Sequence, residues 1–567
     1  MRKLTVTLAL LLGAVLLTLP ATAGAKGGPS TLEVQILGLN DFHGQLQPVP
    51  ATSSGGRIGA TPAGGVEFLA THVRNLRATN PNTLFVSAGD LIGATPLISA
   101  LFHDEPTIEA FNLMDLDYNG VGNHEFDEGV DELLRMQNGG CHPVDGCIDG
   151  DPFAGATFDF LAANVKYKAD GETIFPGYKI HEFDGVKIGI IGMTLEGTPS
   201  IVSPAGISHV DFFDEAATVN ALVPELRKQG VRTIIVLLHE GGTIGAPGNG
   251  AGSETAINQC NNPQGALPPI VEAMDDAVDI VVTGHTNWAV NCVIDGKIVT
   301  GAAATGRLVT DIDLRINRKS GTVMEEFTRV NNRIVTQDVP KASDLTALVT
   351  KYDAISAPLA NRVIGEISAS ITRAANLAGE SALGDVIADA QLFATTPAEL
   401  GGAVMAFMNS GGIRNDLLFP SSPAGEGDGK VTYGEAFNVQ PFGNSLVTMT
   451  LTGSQIDTLL EQQFDNPTPG AMRILQVSEG FAYAWSTSAP TGDKVSNITL
   501  NGLPISPVTS YRVTVNSFTA EGGDNYFVLR DGTDRLGGDV DLDALEKYFI
   551  AQGVVDPGPQ NRITQVP

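Results

Sequence analysis

Apolar residues along the chain fall into short runs separated by stretches with helical spacing. Strand-like runs that end in polar or glycine-rich turns cover 32–40, 83–87, 187–191, 233–238 and 280–283. Helical patterns lie between them, at 66–77, 108–113 and 216–229. Strands that alternate with helices predict an α/β fold.

The second half of the chain repeats this alternation of strands and helices after a polar helical segment. Residues 300–335 predict two strands around a turn at 319–321, and a polar helix is predicted at 343–359. A second α/β pattern follows from about 360 to 550. We therefore expect an N-terminal domain at 30–335, a connecting helical segment at 336–360 and a C-terminal domain at 361–555.

The first residues have the pattern of a secretory signal peptide. Arg2 and Lys3 precede an apolar run at 8–17, and Pro20 and small residues follow. This run is too short to span a bilayer comfortably. We therefore predict a signal peptide at 1–25. The mature protein is then secreted, periplasmic or extracellular, without a membrane anchor.

An exported chain with an even number of cysteines favours disulfides. The four cysteines permit three pairings, and we favour Cys141–Cys147 with Cys260–Cys292 because the first pair is local. A zinc knuckle is the alternative, but the CxxC spacing that it usually needs is absent.

The composition narrows the range of partners. Lys and Arg total 34 against 64 Asp and Glu, for a formal net charge of −30, and 43% of residues are hydrophobic. Such a chain folds into globular domains. Its acidity argues against nucleic-acid polymers and anionic membrane surfaces as partners. A small anionic substrate would need local positive charge, from metal ions or arginines. The oligomeric state is left open.

Side chains that can bind metals follow five predicted strands or turns. In α/β sheets, ligands gather at the carboxyl ends of the strands, so these segments are expected to meet at one rim. The segments are Asp-Phe-His at 41–43, Gly-Asp at 89–90, Gly-Asn-His-Glu-Phe-Asp at 122–127, His-Glu at 239–240 and Gly-His-Thr-Asn at 284–287.

This order of motifs resembles the calcineurin-like metallophosphoesterase superfamily. With its C-terminal half included, the chain resembles the secreted bacterial 5'-nucleotidase/UDP-sugar hydrolase family. The resemblance implies an α/β fold with an N-terminal four-layer metallophosphoesterase sandwich and a C-terminal α/β nucleotidase domain. The latter would bind the substrate.

The resemblance also implies a site with two divalent metal ions. One ion would be held by Asp41, His43, Asp90 and Asn287, and the other by Asp90, Asn123, His239 and His285. Mixed nitrogen and oxygen ligands suit Zn, Mn, Fe or Co, and the sequence does not choose among them. His124 would act on the phosphoryl or leaving oxygen, oriented by Asp127.

Three C-terminal motifs carry the family resemblance into the second domain. The segment Asn-Ser-Gly-Gly-Ile-Arg at 409–414 implies that Asn409 and Arg414 bind the phosphate or sugar. The glycine-rich segments around Phe442 and Phe518 imply that these two rings sandwich a nucleobase. The resemblance assigns the ribose hydroxyls to Asp524. Arg373 is a further candidate phosphate ligand.

These inferences predict a secreted, metal-dependent 5'-nucleotidase that converts nucleoside 5'-monophosphates to nucleoside and phosphate. Hydrolysis of UDP-sugars, of nucleoside di- or triphosphates, or of 2',3'-cyclic nucleotides is the alternative within the enzyme class. A secreted nucleotide-binding protein whose metal site has decayed is the alternative outside it.

Overall fold

The structure is a computed structural model of the 567-residue chain. It describes residues 30–49, 61–202, 204–244, 257–464, 466 and 471–567. The predicted signal peptide at 1–25 lies outside the described residues.

The N-terminal half alternates strands and helices, as the periodicity predicts. Its strands are β1 (Thr31–Leu39), β2 (Thr83–Ser87), β3 (Tyr118–Gly120), β4 (Asp159–Leu161), β5 (Val165–Tyr167), β6 (Tyr178–Phe183), β7 (Val186–Met193), β8 (Val210–Phe212), β9 (Thr233–Leu238), β10 (Gly242–Ile244), β11 (Pro263–Gly265), β12 (Ile280–Thr283), β13 (Ala289–Ile294), β14 (Lys297–Ala302), β15 (Leu308–Asn317) and β16 (Arg329–Ile334). Its helices are α1 (Val66–Arg77), α2 (Leu97–Ala100), α3 (Glu105–Leu113), α4 (Val130–Asn138), α5 (Pro204–Ile207), α6 (Glu215–Lys228) and α7 (Leu267–Ala273).

Two six-stranded sheets of described residues stack face to face in this half. One has the order β16-β15-β1-β2-β3-β4 and the other β13-β14-β12-β9-β7-β6. Val34 and Ile36 of β1 share an apolar cluster with Ile190 of β7 and Val282 of β12, so the sheets bury their inner faces against each other. Separate clusters join the outer faces to helices, which completes the expected four-layer sandwich.

The C-terminal half is a second α/β unit. After α8 (Ser343–Ala360), its helices are α9 (Ala382–Thr395), α10 (Tyr433–Val439), α11 (Gly453–Glu461), α12 (Ser517–Ala520) and α13 (Asp541–Gln552). Its strands are β17 (Val363–Ile367), β18 (Met405–Met408), β19 (Lys430–Thr432), β20 (Ser445–Thr452), β21 (Gln476–Val477), β22 (Phe481–Ser486), β23 (Val495–Leu500), β24 (Leu503–Pro504), β25 (Ser510–Asn516), β26 (Thr533–Val540), β27 (Val554–Val555) and β28 (Ile563–Val566). The described strands form sheets of the orders β19-β17-β27, β21-β18-β25-β20-β26 and β24-β23-β22-β28.

The connecting helix α8 packs into the N-terminal domain. Leu345, Leu348 and Tyr352 belong to the same buried cluster as Phe102 of that domain. The Tyr352 hydroxyl donates to Glu109 Oε2 at 2.8 Å. The helix begins and ends within one residue of the predicted range 343–359, but its burial follows from the N-terminal core.

Both favoured disulfides are present. Cys141 is bonded to Cys147 and closes a short loop, and Cys260 is bonded to Cys292 at the edge strand β13. The prediction of these pairings is therefore confirmed.

Among the helices built from described residues, we find no segment with the length and apolarity that crossing a membrane requires.

Candidate active site

The strand ends of the two N-terminal sheets meet at one rim. Strands β1 and β2 run parallel, and so do β9 and β12. The backbone joins the loops that follow β1 and β2, because Asp41 N–H donates to Gly89 O and His43 N–H donates to Asp90 O, both at 3.0 Å. The polar residues predicted at separate strand ends are thereby brought together.

Several predicted ligands have a left-handed backbone. This conformation is uncommon and costly outside glycine, and it persists where surrounding contacts impose it. The residues and their φ angles are Asp41 (48°), His43 (50°), Asp90 (53°), His285 (67°) and Asn287 (58°). Their concentration at one rim indicates that the loops hold side chains toward a common centre.

Asp90 lies at that centre. Its Oδ2 is 3.1 Å from His239 Nε2 and 3.9 Å from His43 Nε2. Its Oδ1 accepts the main-chain N–H of His124 at 2.9 Å. Burial alone would raise the pKa of Asp90, but the surrounding imidazoles lower it well below its usual range. The carboxylate is therefore ionised.

Asn123 lies between His239 and His285. Its Oδ1 lies 3.1 Å from His239 Nε2 and 2.9 Å from His285 Nδ1. His239 Nδ1 faces Ala88 O at 2.7 Å, and His43 Nδ1 faces Gly93 O at 2.9 Å. These carbonyls favour a proton on Nδ1 and leave both Nε2 atoms as donors of an electron pair toward the centre.

The donor set fits divalent cations. Asp41 is fully buried, and no described group donates a hydrogen bond to its Oδ1. Burial raises the pKa of Asp41 to about 7, against the opposing charge of His239 and together with the nearby Asp90 carboxylate. Two buried carboxylates beside imidazole and amide donors are typical of a site for borderline metals such as Zn or Mn.

Asn287 is also at this rim. It lies two residues after His285 in the same loop and is half-buried. Its role as a ligand remains a prediction of the family resemblance.

Glu125 is a buried residue of this rim to which sequence reasoning assigned no role. Its Oε2 accepts the N–H groups of Asp90 and Gly122, both at 2.8 Å. Its Oε1 accepts the Leu91 N–H at 2.9 Å and the Asn119 side chain at 3.2 Å. This buried carboxylate ties the Asp90 loop to the Asn123 loop. Its position inside the 122–127 motif was the available signal.

His124 and Asp127 form the predicted pair. His124 Nδ1 is 2.8 Å from Asp127 Oδ2. Burial alone would lower the pKa of His124, but the carboxylates of Asp127 and Asp90 outweigh it, and the pKa is raised. The His124 ring faces the C-terminal domain, where it lies parallel to Phe442 with 5.8 Å between the ring centroids.

A cavity of about 430 Å³ lies between the two domains. It brings His124 and Asp127 together with the glycine-rich loops of the C-terminal domain. The N-terminal wall consists of Asn123, His124, Asp127, Ile201, Val202 and His285. The C-terminal wall includes Asn409, Arg414, Phe442, Arg473, Phe518 and Asp524. Ile201 and Val202 were not predicted, because two aliphatic residues in a loop carry no chemical signal.

Arg414 supplies positive charge to this cavity. Its guanidinium lies 5.7 Å from the centroid of the Phe442 ring. Burial lowers its pKa, while the carboxylates of Asp127, Asp90 and Asp41 act in the opposite direction. Arg414 therefore faces the acidic rim that carries the predicted metal ligands.

Asp524 and Asn409 form a side-chain network in the C-terminal wall. Asn409 Nδ2 donates to Asp524 Oδ2 at 2.8 Å, and Asn516 Nδ2 donates to Asn409 Oδ1 at 2.9 Å. Arg473 donates to the other oxygen of Asp524. Arg473 was missed because it lies in none of the recognised motifs.

Arg373 is an exposed residue that bonds to the segment 413–416. Its main-chain N–H donates to Asp416 Oδ1 at 2.8 Å, and its Nη1 donates to Ile413 O at 3.5 Å. It is near Arg414 and, among the described residues, outside the cavity lining. Its role as a phosphate ligand stays a prediction.

The chain matches two family models, one in each half. The calcineurin-like phosphoesterase model matches residues 34–288. The model of the 5'-nucleotidase C-terminal domain matches residues 363–531. The two walls of the cavity therefore come from segments that match different models.

Individual proteins of known sequence or structure are also similar. The chain is 31% identical to Endonuclease YhcR of Bacillus subtilis over 91% of its own length, but it spans only 39% of that protein. It is 31% identical to Cell wall protein Lmo0130 of Listeria monocytogenes, over 94% of this chain and 69% of that one. The solved structure of a 5'-nucleotidase precursor from Thermus thermophilus is 26% identical, with a TM-score of 0.74, and the match covers 94% of this chain and 99% of that one.

Proposed function

Because this chain belongs to the 5'-nucleotidase family of calcineurin-like phosphoesterases, which are phosphoric ester hydrolases, we propose that it is a secreted 5'-nucleotidase. It hydrolyses nucleoside 5'-monophosphates to nucleoside and phosphate. The observation that carries this proposal is the cavity between the domains, which has His124 on one wall and Phe442, Phe518 and Asp524 on the other.

The metal centre is proposed to hold two divalent ions. Asp41, His43, Asp90 and Asn287 would hold one, and Asp90, Asn123, His239 and His285 the other. Such ions supply positive charge to the phosphoryl oxygens and lower the pKa of water so that it can attack phosphorus. The convergent donors and the orphaned buried oxygen of Asp41 support this assignment.

His124 is proposed to act on the oxygen that leaves the phosphorus. With Asp127 holding its Nδ1 proton, its other ring nitrogen can carry a proton toward the cavity. The raised pKa of His124 favours the protonated ring. This residue would stabilise negative charge on the leaving ribose oxygen and donate its proton there.

The C-terminal wall is proposed to bind the nucleoside. Phe442 and Phe518 are both only partly buried on the cavity wall, which leaves ring surface for a flat base. Asp524 accepts hydrogen bonds from the sugar, and Arg414 and Asn409 bind the phosphate or sugar edge. A base held by stacking suits several nucleotides rather than one.

The expected domain boundaries and export are part of the same proposal. The boundaries are a signal peptide at 1–25, a metallophosphoesterase domain at 30–335, a connecting segment at 336–360 and a substrate-binding domain at 361–555. Two disulfides support folding in an oxidising compartment.

Phosphate release tests the function. The purified chain is incubated with AMP, ADP, UDP-glucose and 2',3'-cyclic AMP, with Mn²⁺ or Zn²⁺ and with a chelator in excess. We expect the fastest release from AMP and its loss on chelation. Preferred turnover of UDP-glucose, ADP or the cyclic nucleotide would replace the proposed substrate. Nucleotide binding without release under any metal would indicate a binding protein.

A further inference from the structure

Arg473 occupies a position on the cavity wall that neither the motifs nor the proposed function explains. It comes after α11 in the chain, and its main-chain N–H donates to Gln463 O at 2.9 Å. The Tyr526 hydroxyl donates to its carbonyl oxygen. The side chain is 28% exposed, and its Nη1 donates to Asp524 Oδ1. The backbone is thus anchored, and the guanidinium reaches Asp524.

Asp524 accepts hydrogen bonds at its main-chain carbonyl and at both carboxylate oxygens. Its side chain is only 4% exposed, and its backbone is left-handed, with φ 54°. Asn466 Nδ2 donates to its carbonyl oxygen at 2.5 Å, and Asn409 Nδ2 donates to its Oδ2. With Arg473 on Oδ1, the plane of the carboxylate is determined.

Such a carboxylate keeps acceptor capacity. Each carboxylate oxygen has two lone-pair sites, so an oxygen that accepts one hydrogen bond can accept another. Two oxygens fixed side by side match a pair of neighbouring hydroxyl donors. A ribose has such vicinal hydroxyls at its 2' and 3' positions, whereas a 2',3'-dideoxyribose has neither.

Charge explains why an arginine is needed. A buried carboxylate paired only with a neutral amide bears much of its desolvation cost, whereas a guanidinium partner compensates it. Arg414 faces the acidic rim of the metal site. Both arginines lie near the metal rim, since the charge of Arg473 also acts on His285, but Arg473 is the one that bonds to Asp524.

We propose that Arg473 is a specificity-determining residue that positions Asp524 to accept the 2' and 3' hydroxyls of a ribose. The site then selects ribonucleotides over nucleotides that lack these hydroxyls. This inference rests on the proposed function for the location of the sugar. Arg473 acts through Asp524, so it is a positioning residue and takes no part in the chemistry.

The test compares AMP with 2',3'-dideoxy-AMP in steady-state kinetics of the metal-loaded full chain. For Arg473→Met, we expect kcat/KM for AMP to fall about tenfold through KM, as for loss of hydrogen bonds to a charged group. The value for dideoxy-AMP should change less than about twofold. Arg473→Lys should restore part of the preference. Parallel losses for both substrates, or no loss for AMP, would overturn the inference.

Arg512→Met is the matched control. Arg512 also bonds to neighbouring groups of the C-terminal domain, namely Gly401 O at 2.9 Å and Thr450 Oγ1 at 3.0 Å, but it is outside the described cavity lining. Its loss should leave the preference for AMP over dideoxy-AMP unchanged. If Arg473→Met does not fold, Asp524→Asn provides the test. A wild-type preference in that variant would also overturn the inference.

Binding of the nucleosides separates this inference from the proposed function. Calorimetry with adenosine and 2',3'-dideoxyadenosine needs no hydrolysis. If the wild type releases no phosphate but binds adenosine more tightly, and Arg473→Met removes that preference, the hydrolase proposal fails and the role of Arg473 stands. If the wild type hydrolyses AMP and its preference for adenosine does not depend on Arg473, the hydrolase proposal stands and the role of Arg473 fails.

Discussion

The two walls of the cavity are organised in opposite ways. On the metal side, each predicted ligand follows a strand by a few residues, and backbone contacts such as Asp41 N–H to Gly89 O set the loops. On the substrate side, the polar groups come from distant segments and hold one another by side-chain bonds, as Asn409, Arg473 and Asp524 do. A site built on strand ends repeats a pattern along the chain, whereas one built on side-chain pairing does not.

Among the substitutions that separate the two walls, Asp90→Ala should have the largest effect on phosphate release. Asp90 is the carboxylate that the histidines and the His124 N–H surround, so its loss removes the centre of the metal side. We expect phosphate release to fall by more than about a thousandfold and bound metal to be lost. Metal content by elemental analysis and phosphate release from AMP measure this. Wild-type metal content in the variant would contradict it.

His124→Ala should separate metal binding from chemistry. Because His124 pairs with Asp127 and lacks a place in the proposed ligand set, both metals should remain. The rate should fall by about 10²- to 10⁴-fold, the usual value for a general acid. His72→Ala is the control. The His72 ring lies outside the described cavity lining, and its Nε2 is 3.0 Å from Thr336 O. A near-wild-type rate for His124→Ala would refute the role.

Glu125→Gln should loosen the metal side without removing a ligand. Both oxygens of the carboxylate accept hydrogen bonds from main-chain N–H groups. In the Gln variant, the side-chain NH2 would face one of these N–H donors, and that hydrogen bond would be lost. We expect metal affinity to fall by about 10- to 100-fold, as for a group that orients ligands. Titration with a competing chelator measures this affinity. An unchanged affinity would show that the loops carrying Asp90 and Asn123 keep their conformation without the Glu125 carboxylate.

Phe442→Ala should affect mainly the substrate side. Loss of one stacking ring costs about 1–3 kcal/mol per base, so KM for AMP should rise by about 5- to 150-fold with metal content unchanged. Phe442→Tyr keeps a ring and should retain most of the affinity. An unchanged KM in the alanine variant would count against stacking.

The smallest effect is expected outside both walls, at His103. Its Nδ1 is 2.8 Å from Glu128 and its Nε2 is 3.0 Å from Asp145 in the Cys141–Cys147 loop. Burial alone would lower the pKa of His103, but these carboxylates raise it to about 9. The unfolded value is about 6.5, so the stabilisation is complete below that pH and is lost as pH rises through about 9.

Melting temperatures of the wild type and His103→Gln measure this stabilisation. Their difference should be largest near the unfolded pKa of about 6.5, while the carboxylates are ionised, and should vanish above the folded pKa of about 9. A difference that does not vary with pH would mean that packing of His103, rather than its charge, stabilises the loop.

Much of the metal side could be predicted from local patterns. Helix α1 and strands β2, β9 and β12 have the predicted bounds, because their apolar periodicity and flanking turns are local properties. The residues after the strands offered metal-binding side chains, and the family resemblance assigned the individual ligands. The substrate side was reached only through recognised motifs, and these contain neither Arg473 nor Ile201.

The amino-acid sequence thus specifies on its own the alternation of strands and helices, the residues at each strand end and the chemical types available there. Only the tertiary structure decides that α8 is buried in the N-terminal core, that Glu125 joins two loops, and that Arg473 meets Asp524. The reason is physical. Periodicity and turn residues act over a few positions, whereas the pairing of buried charges depends on which distant segments the packed core brings into contact.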